Sequence, residues 1–138
     1  MRPLDDRKLY RIIDANLNRA REGLRVCEDI CRFVWDQREG ARGFKEIRHR
    51  LTVVIMSLDI PKLLESRNIE GDVGKITLDG ELRRRDAGDI FYANAQRVKE
   101  SIRVLEEFAK LKNAPLAKDL KKLRYRIYAL EKRVAAAG

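Results

Sequence analysis

Apolar side chains recur along this chain at spacings of three and four residues, the mark of helices that bury one face. On a wheel of roughly 100° per residue, Ile12, Ile13, Ala20, Leu24, Cys27, Ile30, Cys31 and Val34 form one broad stripe, predicting a helix from about Asp5 to Asp36. Pro3 and the acidic pair Asp5 and Asp6 suit its start, where the helix dipole is positive. So long a helix is expected to kink at Gly23, and Gln37–Gly43, with two glycines, reads as the turn that follows. A second helix from about Phe44 to Leu58 carries Phe44, Ile47, Leu51, Val54, Ile55 and Leu58, and Pro61 is expected to stop it, with one short helical turn over Pro61–Ser66. Arg67–Gly80, RNIEGDVGKITLDG, has three glycines and no helical period and is the one long loop. A third helix begins near the basic stretch Glu81–Gly88 and ends near Lys112, and a fourth runs from Pro115 to about Val134.

The third helix repeats the first. ANLNRAREGLRVCEDICRF (Ala15–Phe33) returns as ANAQRVKESIRVLEEFAKL (Ala93–Leu111) with an offset of 78 residues. Identical residues stand at Ala15/Ala93, Asn16/Asn94, Arg19/Arg97, Glu22/Glu100, Arg25/Arg103, Val26/Val104 and Glu28/Glu106. The second and fourth helices are related too: KEIRHRL (Lys45–Leu51) matches KKLRYRI (Lys121–Ile127), which sets Arg48 over Arg124 and Arg50 over Arg126. Two repeated helix pairs, about 5–60 and about 81–135, joined by a glycine-containing loop at 66–80, predict a single all-α domain over residues 1–138. The expected architecture is a four-helix antiparallel bundle with an internal pseudo-two-fold axis.

Within each copy the apolar stripe is interrupted. Asn16 falls in its middle and Arg19 about 60° away, with Gly23 beside them, and Asn94, Arg97 and Ser101 occupy the same frame in the second copy. An unpaired charge on a buried face costs several kcal/mol, so each arginine needs an anionic partner. Two kinds are open. Glu22 and Glu100 follow at i+3 and can close an internal Asn–Arg–Glu network. Alternatively, Arg19 and Arg97 face a cleft and hold a phosphate, which suits a planar donor fork. A second subunit covering the arginines, making a homo-oligomer, is a further alternative.

Composition narrows the partners only partly. The net charge of +9 predicts attraction to polyanions or small anionic substrates. The 38% of charged residues is a balance seen in proteins from hot environments. No apolar run is long enough to span a bilayer and the N-terminus is too polar for a secretory signal, so a cytoplasmic protein without membrane partners is expected. Cys27 and Cys31 share the apolar side of one helix and read as buried hydrophobes, and the sole histidine, His49, faces outward. In the loop, GDVGKIT lacks the glycine spacing and leading strand of a P-loop. The loop can nonetheless close over an anion with Arg67 and Lys75, and Asp72 is a candidate magnesium ligand; its bland alternative is a mere helix connection. The run Arg83–Arg85 reads as a solubilising helix start or, alternatively, a surface phosphate contact.

RIIDANLNRAREGLRVCEDICRF, the loop RNIEGDVG, EEFAKL and RYRIYALE together resemble the small helical domain fused to the N-terminus of some bacterial thiamine-phosphate synthases and found elsewhere as a free-standing protein. The resemblance covers nearly the whole chain. It implies a phosphomethylpyrimidine kinase unrelated to the ribokinase-like enzyme, transferring the γ-phosphate of ATP to hydroxymethylpyrimidine phosphate, with Mg2+. Because no synthase domain follows Gly138, the stand-alone form is expected. Under this resemblance Arg19, Arg97 and Arg67 are expected to meet phosphate and transition-state charge, and Asp72 the magnesium. Asn16, Asn94, Arg48, Arg124 and Tyr128 are expected to bind substrate, Tyr128 by stacking on a ring. The rival reading is a non-catalytic basic module that binds nucleic acid or assists a synthase. It has the net charge, but no aromatic stacking platform for nucleic acid is recognisable.

Overall fold

Asp5 opens the first helix by accepting a hydrogen bond from the Lys8 backbone N–H at 2.8 Å, and the chain then remains helical for most of its length. The structure, a computed structural model, describes residues 2–137; Met1 and Gly138, the ends of the expected domain, and the side chains of Gly80 and Glu81 lie outside the described residues. Helix α1 spans Asp6–Asp29 and runs on as a π-helical turn, Ile30–Val34. Helix α2 spans Arg38–Val54 and ends in a 3-10 turn, Ile55–Ser57. Helix α3 is short, Ile60–Ser66, capped by Asp59 with Pro61 in its first turn. After the long loop, which holds a 3-10 turn at Asp79–Leu82, come α4 (Ala87–Ala109, capped by Asp86) and α5 (Ala114–Ala137). No strand occurs among the described residues.

The four long helices form a ring in which α1 and α5 each pack against both α2 and α4. Neighbours run antiparallel. Along α1 and α4, Cys27 meets Phe91, Gly23 meets Asn94 and Val98, and Asp6 meets Lys112. Along α2 and α5, Gly40 meets Val134, Gly43 meets Leu130 and Glu46 meets Arg126. The centre is filled by Ile13, Leu24, Phe44, Ile47, Leu51, Ile102, Leu120 and Ile127, all nearly sealed from solvent. Phe91 sits edge-on to Phe44 at 5.7 Å between ring centroids. The all-α bundle of two related helix pairs is therefore present, with α3 added to the first pair.

Several boundaries differ from expectation, for identifiable reasons. The irregularity in the first helix lies at Ile30–Val34, not Gly23. Gly23 instead permits close approach, since a Cβ there would meet Val98 Cγ2 at 2.6 Å and the Asn94 carbonyl oxygen at 3.1 Å. Gly40 and Gly43 lie inside α2 rather than in a turn: added Cβ atoms would sit 2.9 Å from Val134 Cγ2 and 2.7 Å from Leu130 Cδ2. Glycine marks a tight α2–α5 contact here, and the turn is confined to Trp35–Gln37, where Asp36 takes φ 50°. Pro61 starts α3 rather than stopping α2. The connection also extends past Gly80, because α4 begins only at Ala87.

Candidate functional site

The antiparallel register of α1 and α4 places Ala20 opposite Val98, its own counterpart in the duplication, so the local two-fold axis passes through this crossing. Residues equivalent across such an axis project to the same side of the helix pair. Arg19 and Arg97, each one position from the centre, therefore share the outer face, away from α2 and α5. Both are exposed. Half-buried Ile12 and Val26 flank Arg19, and half-buried Ile90, Val104 and Phe108 flank Arg97. Neither arginine forms an ion pair with a carboxylate among the described residues. Glu22 and Glu100 are exposed, Glu100 accepting from Gln96 at 3.3 Å, so no closed Asn–Arg–Glu network forms.

Asn16 and Asn94 act alike. Each side-chain amide donates to the carbonyl four residues back, Asn16 to Ile12 at 2.9 Å and Asn94 to Ile90 at 2.8 Å. That commits one of each amide's two N–H donors to the helix. The Asn16 Oδ1 accepts from Arg19 Nη1 at 3.3 Å, so this residue orients the arginine.

Arg67 reaches α1 at a different point. Its Nε and Nη2 donate to Asp14 Oδ2 and Oδ1, both at 2.8 Å, a bidentate clamp that raises the guanidinium's pKa through hydrogen bonding and charge. The clamp ties the start of the long loop to the α1 surface. Arg67 and Asp72 line one small cleft of about 200 Å³ with Arg11, Asp14, Ala15 and Asn18. Arg19 follows Ala15 one helical turn along the same strip. Asp72 is exposed and its Oδ1 accepts from the Gly74 N–H at 2.9 Å. Among the described residues no three carboxylate, histidine or cysteine side chains gather to hold a metal. Asp72 is the exposed carboxylate that this cleft could offer a metal ion.

Arg48 and Arg124 stand elsewhere, each against a buried glutamate. Arg48 Nε donates to Glu28 Oε1 at 3.1 Å, and Arg124 pairs bidentately with Glu106. Glu28 and Glu106 are themselves duplicated positions, as are Arg48 and Arg124, so one ion pair has been copied into both halves, tying α1 to α2 and α4 to α5. Hydrogen bonding to Glu106 is the leading cause of the upward shift of the Arg124 pKa. Both arginines are therefore held by the chain's own carboxylates. Tyr128 lies half-exposed at the other face of α4, with Lys99 Nζ 4.8 Å from its ring centroid and Lys99 in turn paired with Glu131 at 2.7 Å. The structure thus brings Arg67 and Asp72 together beside the Arg19 strip, and sets Arg48, Arg124 and Tyr128 apart from them.

The repeat marks Glu28 and Glu106 as duplicated positions without naming their partners, and it does not mark Asp14 at all. The glutamates left a signal: a repeated acid and a repeated base, 20 residues apart in the first half and 18 in the second, mark a repeated pair. Asp14 left none, because Tyr92 holds its place in the second copy. Cys27 and Cys31 are buried free thiols, and burial pushes both pKa values up, that of Cys31 to about 11.

A model of the ThiD2 family matches residues 11–133. Among curated proteins, a thiamine-phosphate synthase from Synechocystis sp. is 44% identical over 124 residues, 89% of this chain and 35% of that protein. One from Nostoc punctiforme is 41% identical over 124 residues, 89% of this chain and 34% of that protein. One from Prochlorococcus marinus (strain MIT 9313) is 38% identical over 136 residues, 99% and 38% of the two chains. The chain spans about a third of the length of these relatives. No solved structure matches it.

Proposed function

This chain belongs to the ThiD2 family, and from that premise we propose that it phosphorylates hydroxymethylpyrimidine phosphate with ATP, yielding the diphosphate used in thiamine synthesis. The observation that carries the reading is the pair Arg19 and Arg97: duplicated, exposed, facing the same way, and without carboxylate partners among the described residues. Transfer between two phosphates crowds negative charge and needs cations in place more than covalent machinery. The γ-phosphorus–oxygen bond to ADP breaks as a bond forms to an oxygen of the acceptor phosphate. Guanidinium forks on either side of that line neutralise the charge spread over the transferring group.

The acceptor is ionised at neutral pH, so no strong general base is needed, in keeping with a single histidine, His49, that is exposed on α2. Arg67, anchored by Asp14, fixes the loop beside the Arg19 strip, and its remaining N–H groups serve phosphate. Asp72 would help hold magnesium arriving with ATP, and the ion would offset the negative charge of the phosphates. In this reading Asn16 positions Arg19 and Asn94 is tied back to its own helix, whereas Arg48 and Arg124 act through the bundle's stability. The test is to incubate the chain with ATP, magnesium and hydroxymethylpyrimidine phosphate and to follow formation of the diphosphate. Stoichiometric conversion with ADP release supports the proposal, and no product under conditions where the chain is folded refutes it.

A second reading has one observation in its favour. The residues shared with the curated relatives make up only about a third of proteins named thiamine-phosphate synthase. A helical module assisting such a synthase would raise synthase activity in trans without consuming ATP, and the same assay with synthase added separates the two.

A further inference from the structure

At the end of the bundle where α4 starts and α5 finishes, a cleft of about 760 Å³ opens beside Trp35, Phe91, Tyr92 and Tyr128. Its size falls in the range of small-molecule sites. Trp35 tilts against Phe91 at 5.2 Å between centroids, while Tyr92 and Tyr128 keep much of their rings in solvent. The Lys99–Glu131 ion pair, almost buried, supports Tyr128 from below. Adjoining it, and sharing Gln37, Val134 and Ala137, lies a second cleft of about 510 Å³ that carries Arg38, Arg42 and Arg133. All three arginines are exposed and none is ion-paired among the described residues; Glu46, also on this wall, already pairs with Arg126.

Two features show that this end is built and not merely frayed. The π-helical turn Ile30–Val34 and the left-handed Asp36 at φ 50° turn the chain so that Trp35 folds back over Phe91. Both are irregularities that cluster at binding sites. The duplication supplies the second. In the first half the equivalent surface, around Tyr10, Ile13 and Ile55, lies under α3, whose Leu63 and Ser66 are buried. In the second half Trp35 lies over Phe91, while Tyr92 and Tyr128 stay exposed among the described residues.

We propose that this cleft binds a phosphorylated planar heterocycle, the ring lying among Trp35, Tyr92 and Tyr128 and the phosphate against Arg38, Arg42 and Arg133. An aromatic wall gives a flat ring its contact area, and unpaired guanidinium forks beside it are complementary to phosphate. The cleft sits on the α5 side of α4, whereas Arg97 projects from the side away from α5, so it is separate from the face assigned to phosphoryl transfer. The inference leans on the proposed function only for the choice of probes.

Trp35 is the sole tryptophan, so its fluorescence reports the cleft directly. The full chain is titrated with ADP and with hydroxymethylpyrimidine phosphate as the two ring-bearing probes, and with adenosine and inorganic tripolyphosphate as controls. Saturable quenching by at least one ring-bearing phosphate is expected, with adenosine and tripolyphosphate each at least tenfold weaker. Which of the two probes binds identifies the source of the ring. Arg42→Ala with Arg133→Ala is expected to weaken that binding at least tenfold, Tyr128→Ala to weaken it while sparing tripolyphosphate, and Lys118→Ala at the far end of α5 to change nothing. Equal quenching by tripolyphosphate, no saturable change with any probe, or binding indifferent to Arg42 and Arg133 overturns the proposal. So does sedimentation showing that a second copy already covers Trp35. Turnover judges the kinase reading separately: quenching without turnover upholds the cleft alone, and turnover without quenching upholds the kinase alone.

Discussion

Glu106 is 2% exposed and spends its carboxylate on Arg124, whose own side chain is 14% exposed. Removing one member of such a pair strands the other, and Glu106→Ala is expected to destabilise the fold by about 3–5 kcal/mol, read from urea unfolding. Glu28→Ala should behave alike, since Arg48 is 17% exposed and in the same relation. The exposed pairs answer to pH instead. Arg85 beside Asp89, Lys112 beside Asp6 and Lys110 beside Glu107 each hold a carboxyl below its usual value. A carboxyl with a depressed folded pKa adds stability that is complete above its unfolded pKa and lost as pH falls through the folded one. The urea midpoint should therefore be level near neutrality and decline as pH drops below the ordinary carboxylate range; a midpoint that rises on acidification contradicts the assignment. Cys27 and Cys31, buried and held as thiols, should resist iodoacetamide at pH 8 until the chain is unfolded, as intact mass will show. At this scale the repeat made the important polar residues visible but not their partners. Arg19 and Arg48 look alike in sequence, and only the packing of α2 against α1 delivers Glu28 to Arg48 while leaving Arg19 in solvent.

Among the elements, glycine was the residue type most open to misreading. Gly40 and Gly43 resemble a turn by composition, but both lie within α2, where the absence of a Cβ lets α5 approach. Gly23 does the same between α1 and α4. For Gly23→Ala two effects compete: helix propensity favours alanine by about 1 kcal/mol, whereas overpacking costs typically 1–3 kcal/mol. Overpacking should win, because the obstructing groups are a β-branched Val98 methyl and a backbone carbonyl, neither of which swings away easily. A net loss of about 1 kcal/mol or more in unfolding free energy is the expected result, and a stabilised variant would show that α1 and α4 part more readily than described. The four long helices were legible from periodicity because each buries a continuous stripe. The π-helical turn was not, since it accompanies the docking of Trp35 on Phe91, a contact between residues distant in sequence.

For the molecule as a whole, duplication explains both the symmetry and its failures. The crossing of α1 and α4 lies on the local two-fold, which is why a single arginine in the ancestral pattern appears here as two, turned to the same side. The halves then diverge at their ends. One carries α3 and the Asp14–Arg67 clamp that ties down the loop, and the other carries the aromatic cleft. The pairing of repeats could be read from the 78-residue offset; the cleft could not, because it depends on Trp35 docking on Phe91, residues distant in sequence. The central claim, that the repeated arginines receive phosphate, is tested most directly by measuring kcat/KM for ATP-dependent formation of the pyrimidine diphosphate in Arg19→Ala, Arg97→Ala and the parent chain. Each substitution is expected to lower it about 100-fold while the urea midpoint stays unchanged, since both side chains are exposed. Full activity in both variants would contradict the account.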